Sequence, residues 1–437
     1  MPKLAVTEIT KKVAALEAKL NRGAKVKGAH VCAPIDQSPN TYFLRRPSGI
    51  VPLDIHTGGG LPAGGLTYLS GPDGAGKTFL LYKYIAMCQK LYGPKACVAL
   101  GVSEAAPDHF FMRKCGIQIA VPERMIEEQV HERKERGEPP FTKEQLKSFR
   151  AATVGEIKLL RGATGEELLQ AIIDCFDSGL FDIIGLDSIS ACLPEADAEK
   201  DLDQAAKRAA AAGMVTRFFQ QYLNGTTGYY GLNATTVIFT SQVRANNKKA
   251  EAQAHIARYL PDYAPQGAWA AKHGKLIDIL IKPGEKEKEN VAVQPLSAFG
   301  QAAEAAAKEK KKKIQTGKTV KYEVLKGKAG VHEGITGEFD FHFPAGMAAM
   351  RDPNHLLTED QRMVVVTGIQ NGIVEEKDGL ITFHHPVRNE PIVHNGLKLE
   401  KLAGIDRLVQ LMREDFELEL TLRRAVLSSC GVECAYR

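Results

Sequence analysis

The chain has 437 residues, 44% of them hydrophobic and 25% charged, with a formal net charge of +5. That length supports a substantial core divided into two or three folded units, and no run approaches the roughly 20 uncharged apolar residues that a membrane helix requires. The N-terminal "MPKLAVTEITKKVAALEAKL" has neither the apolar block nor the small-residue cleavage site of a signal peptide, so a cytoplasmic protein without membrane association is expected. The mild positive charge permits a polyanionic partner without requiring one. Eight cysteines are scattered along the chain, several inside apolar runs, as free thiols of a reducing compartment would be. Cys430 and Cys434 alone sit close together, with no His or Cys pair nearby to complete a metal site.

In chain order, residues 7–22 place Ile9, Val13, Leu16 and Leu20 at helical spacing between charged residues, predicting one short amphipathic helix. Its apolar stripe packs either on its own domain or on a neighbouring subunit. A polar stretch rich in Pro, Ser and Asn runs to about residue 48. From residue 66 the order is strand "LTYLS", loop "GPDGAGK" and helix "TFLLYKYIAMCQKLYG", the opening of a βαβ unit. The runs "KACVALGV", "FDIIGLDSIS" and "TTVIFTSQ" are short, apolar and closed by polar residues, and they alternate with helical stretches at 165–178 and 203–223. Buried parallel strands have this pattern, and ligands bind beyond their carboxyl ends. Glu104, Asp187 and Gln242 should therefore gather around the loop at 71–78.

Two segments interrupt the pattern. Residues 121–160 are charged and helical in composition. Residues 283–320 are poor in apolar residues and rich in Lys, which predicts a surface excursion, and their "KEKKKK" serves either as a solvated tether or as a further polyanion contact. Strand-like alternation resumes in "KYEVLKGKAG" and "TGEFDFHF", and a smaller unit follows from about residue 346, closing with an amphipathic stretch at 398–427. The organisation expected is a helix and linker at 1–40, a core at 41–345 with the two insertions, and a small domain at 346–437.

The loop carries the main chemical signal. Gly71, Gly76, Lys77 and Thr78 complete a GxxxxGKT pattern. Glycines let backbone N–H groups turn onto phosphates, lysine reaches the β- and γ-phosphates, threonine ligates Mg²⁺, and a helix N-terminus adds its positive end. ATP and Mg²⁺ are thus the expected ligands, with Gly71, Pro72, Asp73, Gly74, Ala75, Gly76, Lys77, Thr78 and Phe79 around the nucleotide. Asp187 stands where a second carboxylate meets the metal's water shell, and Glu104 where one could polarise an attacking water. Taken alone, either residue is more often a helix cap or turn residue, and the loop at 71–78 is what favours the catalytic reading.

The segment "SGIVPLDIHTGGGLPAGGLTYLSGPDGAGKT" resembles the entry to the ATPase core of the RecA recombinase family. "SEAAPDHFFMRKCGI" is similar to the family's catalytic-glutamate segment, implying Glu104 as base and Asp108 and Phe111 as adenine contacts. "LDSISACLPEAD" resembles the metal-side aspartate strand leading to a first DNA-binding loop. "TSQVRANNKK" resembles the γ-phosphate sensor strand that opens a second DNA-binding loop, implying Gln242 as sensor and Arg244 as an accompanying basic residue. Arg244, Lys248, Lys249 and Arg258, with Tyr259 and Tyr263, put cations and stacking faces in that one loop, as a single-strand contact or as a solvated loop. "LKGKAG" resembles a Lys-x-Lys pair, implying that Lys326 and Lys328 reach the nucleotide of an adjacent subunit.

The resemblance implies an α/β fold: a RecA-like P-loop core on a mainly parallel twisted sheet, with an N-terminal helix and a small C-terminal α/β domain. It also implies a DNA-dependent ATPase that forms a head-to-tail helical filament on single-stranded DNA and pairs it with homologous double-stranded DNA. The loop after Gln242, "VRANNKKAEAQAHIARYLPDYAPQG", is longer than the family's and lacks its Gly-Gly ending, and the acidic tail of many members is absent. A ring-forming helicase or translocase on the same core, or a filament-forming regulatory ATP-binding protein without turnover, would use much the same ATP residues. The first should carry an N-terminal collar, and the second would be free to lose Glu104.

Overall fold

The computed structural model describes residues 6–22, 44–104, 106–135, 137, 139–195, 208–229, 234–245, 263–265, 274–292, 311–328, 330–342, 357–388 and 390–432. Helix α1 (Val6–Arg22) leads. The core follows as β1 (Arg45–Arg46), α2 (Val51–His56), β2 (Leu61–Pro62), β3 (Leu66–Gly71), α3 (Lys77–Tyr92), β4 (Cys97–Val102) and α4 (His109–Lys114). Next come α5 (Glu123–Glu135), α6 (Lys143–Arg150), β5 (Glu156–Leu160), α7 (Gly165–Ser178), β6 (Ile183–Asp187), α8 (Arg208–Tyr229) and β7 (Thr236–Ala245). Strands β8 (Tyr263–Pro265), β9 (Ile277–Ala292), β10 (Lys311–Gly327) and β11 (Thr336–His342) complete it.

The main sheet runs β11-β10-β9-β3-β7-β6-β4-β5, with β8 paired to β7. Strands β9, β3, β7, β6, β4 and β5 pair in parallel, whereas β9–β10 and β10–β11 pair antiparallel. The fold is therefore mixed α/β with a mostly parallel sheet, as its apolar, non-alternating strand runs predict. Both faces are covered, which is why those runs are continuous. Ile183 of β6 and Ile238 of β7 pack with Leu80, Leu81 and Ile85 of α3, while their neighbours Ile184, Leu186, Val237 and Phe239 pack with Ile172 of α7 and Phe218 of α8.

The insertion at 121–160 forms α5 and α6, as its composition suggests, and in addition the edge strand β5. It has a core of its own in Val121, Ile126, Phe141 and Phe149, with the Arg133 guanidinium over the Phe141 ring at 4.4 Å. The segment 283–320 departs from expectation. Its described ends continue β9 and β10 as an antiparallel ribbon as far as Lys311↔Ala292. Main-chain pairing needs no apolar side chains, so composition does not reveal it.

The C-terminal part contains α9 (Asp360–Gln370), β12 (Val374–Lys377), β13 (Leu380–Phe383), β14 (Val393–His394), β15 (Leu397–Lys398), β16 (Leu402–Ala403), α10 (Gly404–Glu414) and α11 (Phe416–Ser429). It has its own core around Val364, Phe383, Leu408 and Leu422. It meets the main-sheet core through a buried polar layer. Lys83 of α3 pairs with Asp360 at 2.5 Å, Arg423 pairs with Glu419 at 2.8 Å, and Arg423 also donates to the Gly49 carbonyl at 2.9 Å. Burial pushes Asp54, in the same layer, up to about 6 despite hydrogen bonds from Ser48 and Gly49 and the charge of Arg423. Among the described residues no helix is long and apolar enough to cross a membrane.

Candidate functional site

The loop between β3 and α3 is shaped by its glycines. A Cβ on Gly71 would stand 2.5 Å from the Ile281 carbonyl oxygen of β9, so only glycine lets the chain leave β3 this close to its neighbour. Gly74 and Gly76 have φ of +69° and +114°, and Gly76 caps α3 without a side chain. The first N–H groups of α3 consequently open into the loop, where a helix end attracts anions. Ala75 is buried, while Asp73 and Gly74 are exposed. Lys77 is buried, and its ammonium donates to the Gly71 and Pro72 carbonyls at 3.0 and 2.9 Å. Burial lowers its pKa, opposed by the charges of Asp73, Asp187 and Glu104.

Strand register brings the other groups to the same edge. Gly71 faces Gln242 across β3–β7, and Val102 faces Asp187 across β4–β6. Asp187 accepts from the Thr78 hydroxyl at 2.7 Å with one carboxylate oxygen and from the Thr240 hydroxyl at 2.5 Å with the other. The exposed carboxylate of Glu104 accepts from the Ser188 hydroxyl at 2.7 Å. Ser188 is fixed in turn, because the Ser103 hydroxyl accepts from its N–H at 3.0 Å and donates to its carbonyl at 2.5 Å. The Gln242 N–H donates to the Ser190 hydroxyl at 2.9 Å. Hydroxyl and carboxylate oxygens converging beside a phosphate-binding loop suit Mg²⁺, which takes one or two protein oxygens and fills its shell with water and substrate phosphate. That arrangement needs no larger cage, and among the described residues no group of three or more His, Cys, Asp or Glu could hold a metal.

The remaining sequence candidates lie apart from this edge or have other work. The Phe79 side chain points into the core, with ring centroids 4.7 Å from Phe341 and 6.1 Å from Phe339, so only its backbone faces the loop region. Asp108 caps α4 by accepting from the Phe110 N–H at 2.8 Å, and Phe111 packs 5.9 Å from the Tyr82 ring. Lys326 and Lys328 stand near the far end of β10. Lys326 lies eight steps along the strand from Lys318, which bonds to the loop at 71–78, and at about 3.4 Å per residue that is roughly 27 Å of strand. Burial, then the charges of Lys328 and Lys275, brings Lys326 down to about 8. Arg244 lies on β7 opposite Ala264 of β8, an antiparallel pairing that closes the base of the loop between them. Lys248, Lys249, Arg258 and Tyr259 lie outside the described residues, as does the side chain of Arg244.

Sequence reasoning missed Thr240, Ser103, Ser188 and Lys318. Thr240 is the one polar residue inside "VIFT" and shares the closing edge with Gln242, which was a usable signal. Ser103 and Lys318 carried none, because their partners are 85 and 244 residues away.

The chain is similar to Protein RecA. It is 28% identical to Protein RecA of Arthrospira platensis over 238 residues, 54% of this chain and 53% of that protein. It is 27% identical to Protein RecA of Gloeobacter violaceus over 199 residues, 46% of this chain and 42% of that protein. The chain thus spans about half the length of the curated relatives it matches. No family model matches it. These similarities support a RecA-like family.

Proposed function

We propose that this chain is a DNA-dependent ATPase of the recombinase type, which polymerises head to tail on single-stranded DNA and pairs it with homologous double-stranded DNA. The observation that carries the reading is Asp187, whose two carboxylate oxygens are held by Thr78 of the phosphate loop and Thr240 of β7, with Glu104 tethered to the adjacent Ser188. In this reading Lys77 leaves the Gly71 and Pro72 carbonyls to meet the phosphates of ATP. Glu104 takes a proton from the water that attacks the γ-phosphorus, and ADP and inorganic phosphate leave. Thr78 and Asp187 would hold Mg²⁺, which would supply positive charge against the phosphate oxygens. Gln242, beside Gly71 and at the head of the loop closed by β7 and β8, reports the γ-phosphate to that loop.

Two features support assembly. Lys326 and Lys328 are too far along β10 to serve their own phosphate loop, which suits a contact to the nucleotide of the next subunit. Val13, Leu16 and Leu20 of α1 are exposed and offer an apolar stripe to a neighbour. A head-to-tail contact that does not close generates a filament. The three-part division at about residues 40 and 345, cytoplasmic location and DNA contacts by Arg244, Lys248, Lys249, Arg258 and Tyr259 belong to the same proposal.

Paired variants test it. Lys77→Ala should abolish ATP-dependent DNA binding. Glu104→Gln should slow turnover by at least about 100-fold while retaining the DNA complex, as loss of a general base does. Equal loss of both properties in both variants would contradict the assigned roles.

A further inference from the structure

Lys318 has no part in the reaction proposed above. It lies on β10, opposite Lys286 of β9 and Phe341 of β11. Its ammonium donates to the Gly74 carbonyl at 2.7 Å, at the tip of the phosphate loop, and lies 5.4 Å from the centre of the Phe341 ring. Partial burial, followed by the charge of Lys286, lowers its pKa. Val320, two residues along the same face of β10, lies 3.9 Å from where a Cβ on Gly76 would stand. β10 thus forms a wall behind the loop. Among the described residues, Lys318 is the only side chain from outside the loop and α3 seen to hydrogen-bond the backbone of residues 72–76.

The bond is placed to act on the nucleotide side. Gly74 and Ala75 share one peptide unit, so a cation on the Gly74 oxygen draws electron density away from the Ala75 N–H and makes it a stronger donor. Hydrogen bonds at the two ends of a peptide reinforce each other in this way. The Ala75 N–H is engaged only in a long 3.3 Å contact with the Pro72 carbonyl, which an incoming phosphate oxygen can replace. The exposed, left-handed Gly74 has no side chain to brace the tip, and nothing lies within 4 Å of where its Cβ would be. A tie to a strand of the main sheet supplies the missing support.

We propose that Lys318 is a positioning residue of the phosphate loop, which braces Gly74 against β10 and strengthens the Ala75 N–H as a phosphate donor. The inference rests on the ATP-binding reading above. It concerns affinity for the polyphosphate rather than the chemical step, because Lys318 stands on the side of the loop away from Thr78, Asp187 and Glu104.

The test compares Lys318→Met, Lys318→Gln and Lys318→Arg with the wild-type chain by calorimetric titration of Mg·ATP and Mg·ADP, alongside kcat and KM for ATP hydrolysis. One charge-assisted hydrogen bond at a part-exposed position corresponds to roughly a 3- to 10-fold change. Lys318→Met and Lys318→Gln should therefore raise Kd for both nucleotides and KM for ATP by about that factor, with kcat within about twofold. Lys318→Arg should recover most of the affinity. Wild-type affinity in both neutral variants would overturn the inference while leaving the ATPase reading intact, and so would a fall in kcat at unchanged KM. A wild-type protein that binds neither nucleotide would overturn both.

Discussion

Lys83→Met should loosen the attachment of the C-terminal unit to the helix that carries Lys77 and Thr78. Lys83 lies on α3, and its ammonium meets Asp360 at 2.5 Å with both side chains under a tenth exposed. Asp360 also accepts from the Thr358 hydroxyl at 2.7 Å. Burial alone would raise the Asp360 pKa, but the charges of Lys83, Lys90 and Arg423 outweigh it and hold the carboxyl below its ordinary value. Removing one member of a buried pair costs about 3–5 kcal/mol, because the other is left charged and dry. Lys90 and Arg423 remain to support Asp360, so the lower end, about 3 kcal/mol, is expected. Replacing both partners, as Lys83→Met with Asp360→Leu, should return stability to within about 1 kcal/mol of wild type. Urea unfolding followed by circular dichroism gives the numbers. The pH dependence adds a check of sign. A depressed carboxyl stabilises the fold above its ordinary titration range and loses that contribution as pH falls through its folded value. The deficit of Lys83→Met should therefore be largest near neutrality and shrink in acid, where Asp360 takes up a proton. A single-variant cost below about 1 kcal/mol, or a double variant no better than the single, would refute the reasoning.

Two other perturbations probe the site. Thr240→Val keeps the shape of a fully buried side chain but removes the hydroxyl from Asp187. Loss of such an orienting partner should raise the Mg²⁺ concentration needed for ATP hydrolysis by about tenfold, and an unchanged Mg²⁺ titration would count against Asp187 as the metal-side carboxylate. Lys326, brought down to about 8 by burial and by Lys328 and Lys275, is charged below that value and neutral above it. If it contacts a neighbour's phosphates, ATP-dependent assembly measured by light scattering should weaken as pH rises from about 7 to 9, and Lys326→Arg should flatten the response. Assembly indifferent to pH in the wild-type chain would remove Lys326 from the contact.

The parallel core was legible because a strand buried on both faces leaves an unbroken apolar run, and because GxxxxGKT must sit between such a strand and a helix. The same rule placed Asp187 and Gln242 at the sheet's carboxyl edge, where register pairs them with Val102 and Gly71. The supporting shell was less readable. Ser103, Ser188 and Thr240 orient carboxylates through contacts that link strands distant in sequence, and a serine in a turn looks the same whether or not it does so. The β9–β10 ribbon was hidden for a different reason: its pairing is between backbones, and its Lys- and Glu-rich sequence reads like that of a loop. Lys318 was lost with it.

The most direct test of the account is ATP hydrolysis with and without homopolymer single-stranded DNA across a salt series, with the same samples viewed by electron microscopy. The account predicts strong stimulation by DNA, loss of stimulation as salt rises with a slope set by the number of phosphates neutralised, and extended protein-coated strands. Hydrolysis indifferent to DNA, or stimulation accompanied by closed rings, would contradict it.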